Sequence, residues 1–195
     1  MSRGDTRARI LEATLETLKT KGFAGTSTRA IATAGGFNPA LIFYYFGTLN
    51  DLLLAALEHS SGERLGRYRD ALDEAASLDQ LVSLLGRIYR EDVESGHIRV
   101  VSELVAGSIA VPELGPRVVE LMEPWLELAE AAIERSLAGS PVLSLATPRR
   151  LAYAAVTFYL GANLVSHLAP EQEDLAGLLD DAARLAPLVD AALRG

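Results

Sequence analysis

The sequence predicts an all-α fold in which three short helices lead six longer ones. Apolar residues return at three- and four-residue steps along nearly the whole chain. Alternating runs of β-branched and aromatic residues bounded by turns, the mark of strands, are missing. The sixteen Gly and eight Pro fall singly or in small clusters, as punctuation between helices.

The first helix is expected from about Thr6 to Lys21, with Ile10, Leu11, Leu15 and Leu18 as its apolar stripe. Thr14 interrupts that stripe, but its hydroxyl can bond a carbonyl one turn back. Gly22 is placed to end the helix, just after Lys19 and Lys21, which suit its negative end. Thr26 or Ser27 can cap a second helix over 28–35. Gly36 and Phe37 make a turn, and Asn38 caps a third helix ending near Phe46.

The longer helices follow. A fourth is expected from Thr48 to about Ala76, with a break at Ser60-Ser61-Gly62. The fifth starts at Ser77 or Asp79 and stops at Gly96, and the sixth runs from Ile98 to Ala110. The seventh spans 115–138, with Pro116 in its first turn and Pro124 placed to kink it. Gly139-Ser140-Pro141 opens a loop. Pro148 sits at the first position of the eighth helix, which lasts to about Leu168, and Pro170 separates it from the ninth, over 172–193.

A chain of 195 residues, 49% apolar and 23% charged, suits one large core with a small appended unit. No run approaches the ~20 uninterrupted apolar residues that a bilayer span needs. The first residues lack the apolar core of a signal peptide. With no cysteine, disulfides and thiolate metal sites are excluded. No membrane partner, metal or cofactor is expected, and a cytoplasmic location is. The net charge of −8 is unevenly spread: residues 1–50 carry six cations against three carboxylates, so the head is +3 and the remainder −11. A basic head on an acidic body approaches DNA in one orientation only.

Residues 26–46 carry the functional information. Two short helices joined by a tight turn need small residues where they cross, and Ala32 and Ala34 supply them. The turn needs a residue tolerant of positive φ, which Gly36 provides. Ile31, Phe37, Ile42 and Phe46 have the spacing to face the first helix. The third helix then turns Pro39, Ala40, Leu41, Phe43, Tyr44 and Tyr45 outward, at the end that a recognition helix presents to the major groove. None of these is a cation, so base reading rests on contact with thymine methyls. Tyr44 and Tyr45 can donate to phosphates, as can Thr28 and the N–H groups opening the second helix. Arg29 is the long cation placed to reach a base edge, and Asn38 completes the expected DNA-facing set. Phe43 to Phe46, four consecutive aromatics, cover every side of a helix and cannot all be buried.

These residues resemble the N-terminal signature of TetR/AcrR-type transcriptional regulators. The likeness covers about residues 6–57 and rests on Arg29-Ala30-Ile31-Ala32, Gly36, Ile42-Phe43-Tyr44-Tyr45-Phe46 and Leu52-Leu53. Phe43 stands where the family has Tyr, Tyr45 where it has His, and Leu49 where it has Lys. One hydroxyl and one phosphate cation are therefore absent. The resemblance implies a helix-turn-helix head over 1–48 and a ligand-binding and dimerisation body over 49–195. It further implies a repressor released from a palindromic operator by a small molecule.

For the body, the last two helices have wide apolar faces, with Leu151, Ala155, Ala162 and Val165 on one and Leu178, Leu185 and Val189 on the other. Pairing with a second copy as a four-helix bundle would cover them. Tyr89, Leu104, Met122, Trp125 and Phe158 are the large side chains that could line a cavity for a mostly apolar effector. His97 and Asn163 are possible polar handles. His59, His97 and His167 show no HExxH spacing, and neither a nucleophile elbow nor a phosphate loop appears, so no enzyme is expected. The competing expectation is a helical protein–protein adaptor whose head no longer binds DNA.

Overall fold

The computed structural model describes residues 3–168 and 175–194. Among them there are only helices: α1 (Arg3–Gly25), α2 (Thr28–Gly35), α3 (Ala40–Phe46), α4 (Leu49–Glu74), α5 (Leu78–Glu94), α6 (His97–Ala110), α7 (Gly115–Ser136), α8 (Val142–Leu145), α9 (Pro148–Leu168) and α10 (Leu175–Arg194). The one-turn α8 lies in the segment expected to be loop. Pro170 and Gln172, expected to divide and begin the last two helices, lie outside the described residues, as does the side chain of His167.

The chain's contacts divide it into two compact units, Met1–Glu63 with Gly96–Leu121, and Arg64–Ser95 with Met122–Gly195. The first unit therefore holds more than the three-helix head. Ile10, Leu11, Ala13, Ile31, Ile42, Leu52 and Ala56 form its central cluster. Beside it, Leu18, Leu53 and Leu57 pack against Val100 and Leu104 of α6. Thr14 and Thr17 are buried within this apolar setting because each hydroxyl donates to a carbonyl four residues back, both at 2.7 Å.

Gly22 ends the first straight run of α1 as its position predicts. Its φ of 67° with ψ of −180° is a backbone conformation essentially confined to glycine. Just past the turn, Phe23 N donates to Glu103 Oε2 of α6 at 2.7 Å. A Cβ at residue 22 would stand 2.9 Å from that same carboxylate.

The expected break at Ser60-Ser61-Gly62 does not occur, and α4 is one helix. Leu57, Ser61 and Arg64 are all buried on one side of it, at helical spacing, while a Cβ at Gly62 would meet open space. A solvent-facing glycine costs only about 1 kcal/mol, which the buried side outweighs. Thr48 caps the helix, its Oγ1 accepting from Asp51 N at 3.1 Å and donating to the Asp51 carboxylate at 2.6 Å. Helix α7 continues through Pro124.

The second unit is held by Tyr68, Leu72, Leu81, Leu84, Ile88, Leu128, Ala132, Ile133 and Ala152, with Trp125 and Leu151 half-buried against them. Here α10 packs chiefly along α5, joined by Arg90 and Asp180 at 3.1 Å, rather than along α9 as its neighbour in sequence. No single helix among the described residues is long and apolar enough to cross a membrane.

Candidate nucleic-acid interface

The interface is built on a braced turn. Ser27 adopts extended backbone at the start of α2 and its Oγ accepts from Ala30 N at 3.2 Å. At the other end Gly36 has a φ of 63°, and Phe37 N donates to Ala32 O at 3.1 Å. Glycine supplies this left-handed cap without strain. From α1, Arg9 Nε donates to Gly35 O at 3.0 Å and its Nη2 to Gly36 O at 2.8 Å. The same guanidinium lies 5.7 Å from the Phe37 ring centroid. The turn is thus fixed from outside as well as by its own dihedrals.

Asn38 then opens α3 as expected, its Oδ1 accepting from Ala40 N at 2.9 Å, with Pro39 at the cap. Ile42 is fully buried and anchors the helix. Of the residues expected to face outward, Pro39, Ala40, Phe43 and Tyr44 do, Phe43 being 56% and Tyr44 66% exposed. Leu41 and Tyr45 are half-buried against the head's core, because a seven-residue helix with one buried anchor shares its flanks with the helices around it. Arg29, Gly36, Asn38 and Pro39 line an open depression of about 480 Å³, floored by Ala32 and Phe37. Thr28, at the start of α2, is half-buried.

The aromatic row of α3 brings in residues that sequence reasoning did not assign to the site. Arg3 of α1 has its guanidinium carbon 5.5 Å from the Tyr44 ring centroid and 6.0 Å from that of Tyr45. Arg7 lies 5.3 Å from the Phe46 ring. Tyr44 and Tyr45 meet edge to face at 5.1 Å. The signal available in the sequence was the four-residue spacing of Arg3 and Arg7, which puts both on one side of α1.

Of the side chains expected to line a cavity in the body, Leu104 belongs to the first unit and Tyr89, Met122, Trp125 and Phe158 belong to the second. Leu104 is buried in the first unit, among Leu18, Leu53 and Val100. Tyr89 is buried in the second, where it meets Tyr159 edge to face at 5.6 Å. Trp125 lies 6.4 Å from Tyr68, Met122 is half-buried, and Phe158 is 54% exposed. Asn163 and His97 are buried, and His97 Nδ1 shares a 2.9 Å hydrogen bond with Ser60 Oγ.

A charged cluster occupies the interior of the second unit instead. Asp92, 3% exposed, accepts from Arg64 and Tyr68 on one oxygen and from Tyr159 at 2.7 Å on the other. Arg64 also donates to Ser95 Oγ at 2.5 Å. Burial pushes the Asp92 carboxyl above the usual aspartate range, against the pull of Tyr159, Arg64 and Tyr68. Burial and the neighbouring carboxylate push the Tyr68 and Tyr159 phenols up as well. Of the residues expected to pair two copies, Ala155, Val165, Leu178, Leu185 and Val189 are exposed, while Leu151 and Ala162 are half-buried. Tyr153, Leu164 and Leu188 are exposed as well.

Residues 10–56 match the family described as bacterial regulatory proteins, tetR family. The chain is 28% identical to the HTH-type transcriptional repressor NicS of Pseudomonas putida over 135 residues, covering 65% of this chain and 64% of that protein. It spans about half the length of other curated relatives that it matches. Among solved structures, the fatty acid degradation regulator FadR of Bacillus halodurans shares the fold with a TM-score of 0.76 at 16% identity, covering 95% of this chain and 96% of that one. A TetR-family member from Streptomyces coelicolor A3 aligns with a TM-score of 0.65 at 26% identity, over 93% and 98% of the two chains.

Proposed function

We propose that the chain is a transcriptional regulator of the TetR family whose paired heads read a palindromic operator in double-stranded DNA. The observation that carries this reading is the braced turn. It holds the N-terminal end of α3 outward, with Arg29 and Asn38 beside it and Tyr44 uncovered. Base contact falls to Pro39, Ala40 and Phe43 against thymine methyls and to Arg29 at a base edge. Thr28, Tyr44 and Tyr45 serve phosphates, Leu41 and Tyr45 being able to offer only their outer edges.

Two copies joined through the exposed faces of α9 and α10 give the two-fold arrangement that a palindrome requires, with heads about 34–36 Å apart. Repression relieved by a small, mostly apolar effector in the body completes the reading. Its seat would be among the aromatics around Tyr89 and Trp125, and an effector favouring the DNA-free conformer would lower operator affinity. Reading chromosomal DNA would place the protein in the cytoplasm.

Fluorescence anisotropy with a labelled duplex from upstream of the chain's own gene tests the central claim. Tighter binding to that duplex than to a scrambled one supports it. Equal or absent binding of both at low salt, where phosphate attraction is strongest, would overturn it in favour of a protein–protein adaptor.

A further inference from the structure

We propose that Arg3 and Arg7 of α1 are the head's phosphate-binding cations, seated on the aromatic rings of α3 and presented from there to the DNA backbone. The inference rests on the DNA-reading function proposed above and assigns a role to residues outside the turn and its two helices. Helix α3 carries no cation, and Leu49 at the start of α4 supplies none. Yet a duplex presents a phosphate charge every few ångströms, and a head without cations gains little from counterion release.

The geometry places the missing charge. Arg3 lies over Tyr44 and Tyr45, and Arg7 over Phe46, each guanidinium carbon 5.3–6.0 Å from a ring centroid. Both arginines are exposed, and no ion pair involves either among the described residues. A guanidinium lying against a ring keeps its N–H edges free for an anion while the ring limits its motion. Two N–H groups of Arg3 and the Tyr44 hydroxyl would then serve neighbouring oxygens of the sugar–phosphate chain. Asp5 is two positions from each arginine, on another side of α1 by helical spacing.

Of the other cations of α1, Arg9 is committed to the Gly35 and Gly36 carbonyls and Lys19 pairs with Glu16 at 2.9 Å, while Lys21 stands near the opposite end of the helix from Arg3 and Arg7. Arg9 is therefore a positioning residue of the turn, whereas Arg3 and Arg7 keep their donors for a ligand. The ligand class is the phosphodiester backbone, so the two arginines strengthen binding without choosing the sequence.

The test is a salt series of anisotropy titrations on the full chain, with the upstream duplex and a random-sequence duplex. Three proteins are compared: wild type, R3Q/R7Q and R3K/R7K. For R3Q/R7Q, the slope of log affinity against log salt should become shallower by about 0.9 per contact. Affinity near 0.15 M salt should fall about five-fold per contact, equally for both duplexes. R3K/R7K should keep the wild-type slope. An unchanged slope in R3Q/R7Q overturns the assignment and leaves the DNA-reading head intact. An R3K/R7K slope as shallow as that of R3Q/R7Q also overturns it, by tracing the loss to packing rather than charge. A wild type without salt-dependent DNA binding removes the functional reading and this assignment together.

Discussion

The two units of this chain handle charged and apolar groups in opposite ways. The first sets Arg3 and Arg7 against the rings of α3 at its surface, over an interior of Ile10, Leu11, Ile31, Ile42 and Leu52. The second hides an Arg64–Asp92 pair with two phenols and exposes Leu178, Leu185, Leu188 and Val189. The first unit's surface mixes flat rings with N–H and O–H donors, and it suits a polyanion. The second unit exposes large apolar side chains on α9 and α10, and these suit another apolar face. With its long cations outside, the first unit's centre admits hydroxyls where a carbonyl one turn back accepts them, as at Thr14 and Thr17.

The contrast can be broken most strongly at Arg64. Arg64→Met leaves Asp92 buried without its cation and should destabilise the second unit by about 3–5 kcal/mol at pH 8. The folded pKa of Asp92 is raised, so its protonated form is the one folding favours. Stability linked to Asp92 is therefore full below the ordinary aspartate pKa and lost as pH rises through the raised value. Urea unfolding of wild type and variant at pH 5 and pH 8 checks this, and the difference between them should be smaller at pH 5.

The exposed apolar side chains of the second unit come next. Leu185→Glu with Val189→Glu puts two charges on positions that are 56% and 46% exposed, so the monomer's helix content should be unchanged by circular dichroism. Sedimentation velocity should show a monomer. Operator affinity should fall at least roughly 100-fold, because the second head no longer binds as part of one molecule.

A smaller effect is expected within the first unit. Gly22→Ala forces a side chain into a backbone conformation essentially confined to glycine and against the Glu103 carboxylate, and should cost about 1–3 kcal/mol. Chemical denaturation followed by a probe in the first unit measures it. Smallest is Tyr44→Phe, which keeps the ring on which Arg3 rests and removes one hydroxyl. About 1 kcal/mol of affinity should be lost, alike for all duplexes; a changed base preference would reassign Tyr44 from phosphate to base.

Much of the head was readable because its determinants are local. Caps at Ser27, Gly36 and Asn38 act within four residues, and the Thr14 hydroxyl finds its carbonyl one turn back. What periodicity does not encode is which partner an apolar face meets. Leu104 was grouped with Trp125 because both are large and apolar, yet α6 packs on α1 and takes Leu104 to Leu18. In the same way α10 lies along α5, where Arg90 meets Asp180 across ninety residues of sequence. The arginines of α1 looked like general surface charge until the rings of α3 were placed under them. Side-chain stacking between two helices leaves no period in either.

The contact between Phe23 N–H and Glu103 has a practical consequence for exchange between proteins. The segment that matches the family ends at residue 56, but its far side is covered by Val100 and Leu104, and the end of α1 is tied to Glu103. A chimera that grafts only residues 1–56 onto another regulator would carry Leu18, Leu53 and Leu57 into foreign surroundings. A graft that adds α6 would carry their cover along. The portable piece of this protein is discontinuous, and a recombination event that preserves the reader must keep two separate stretches of the gene.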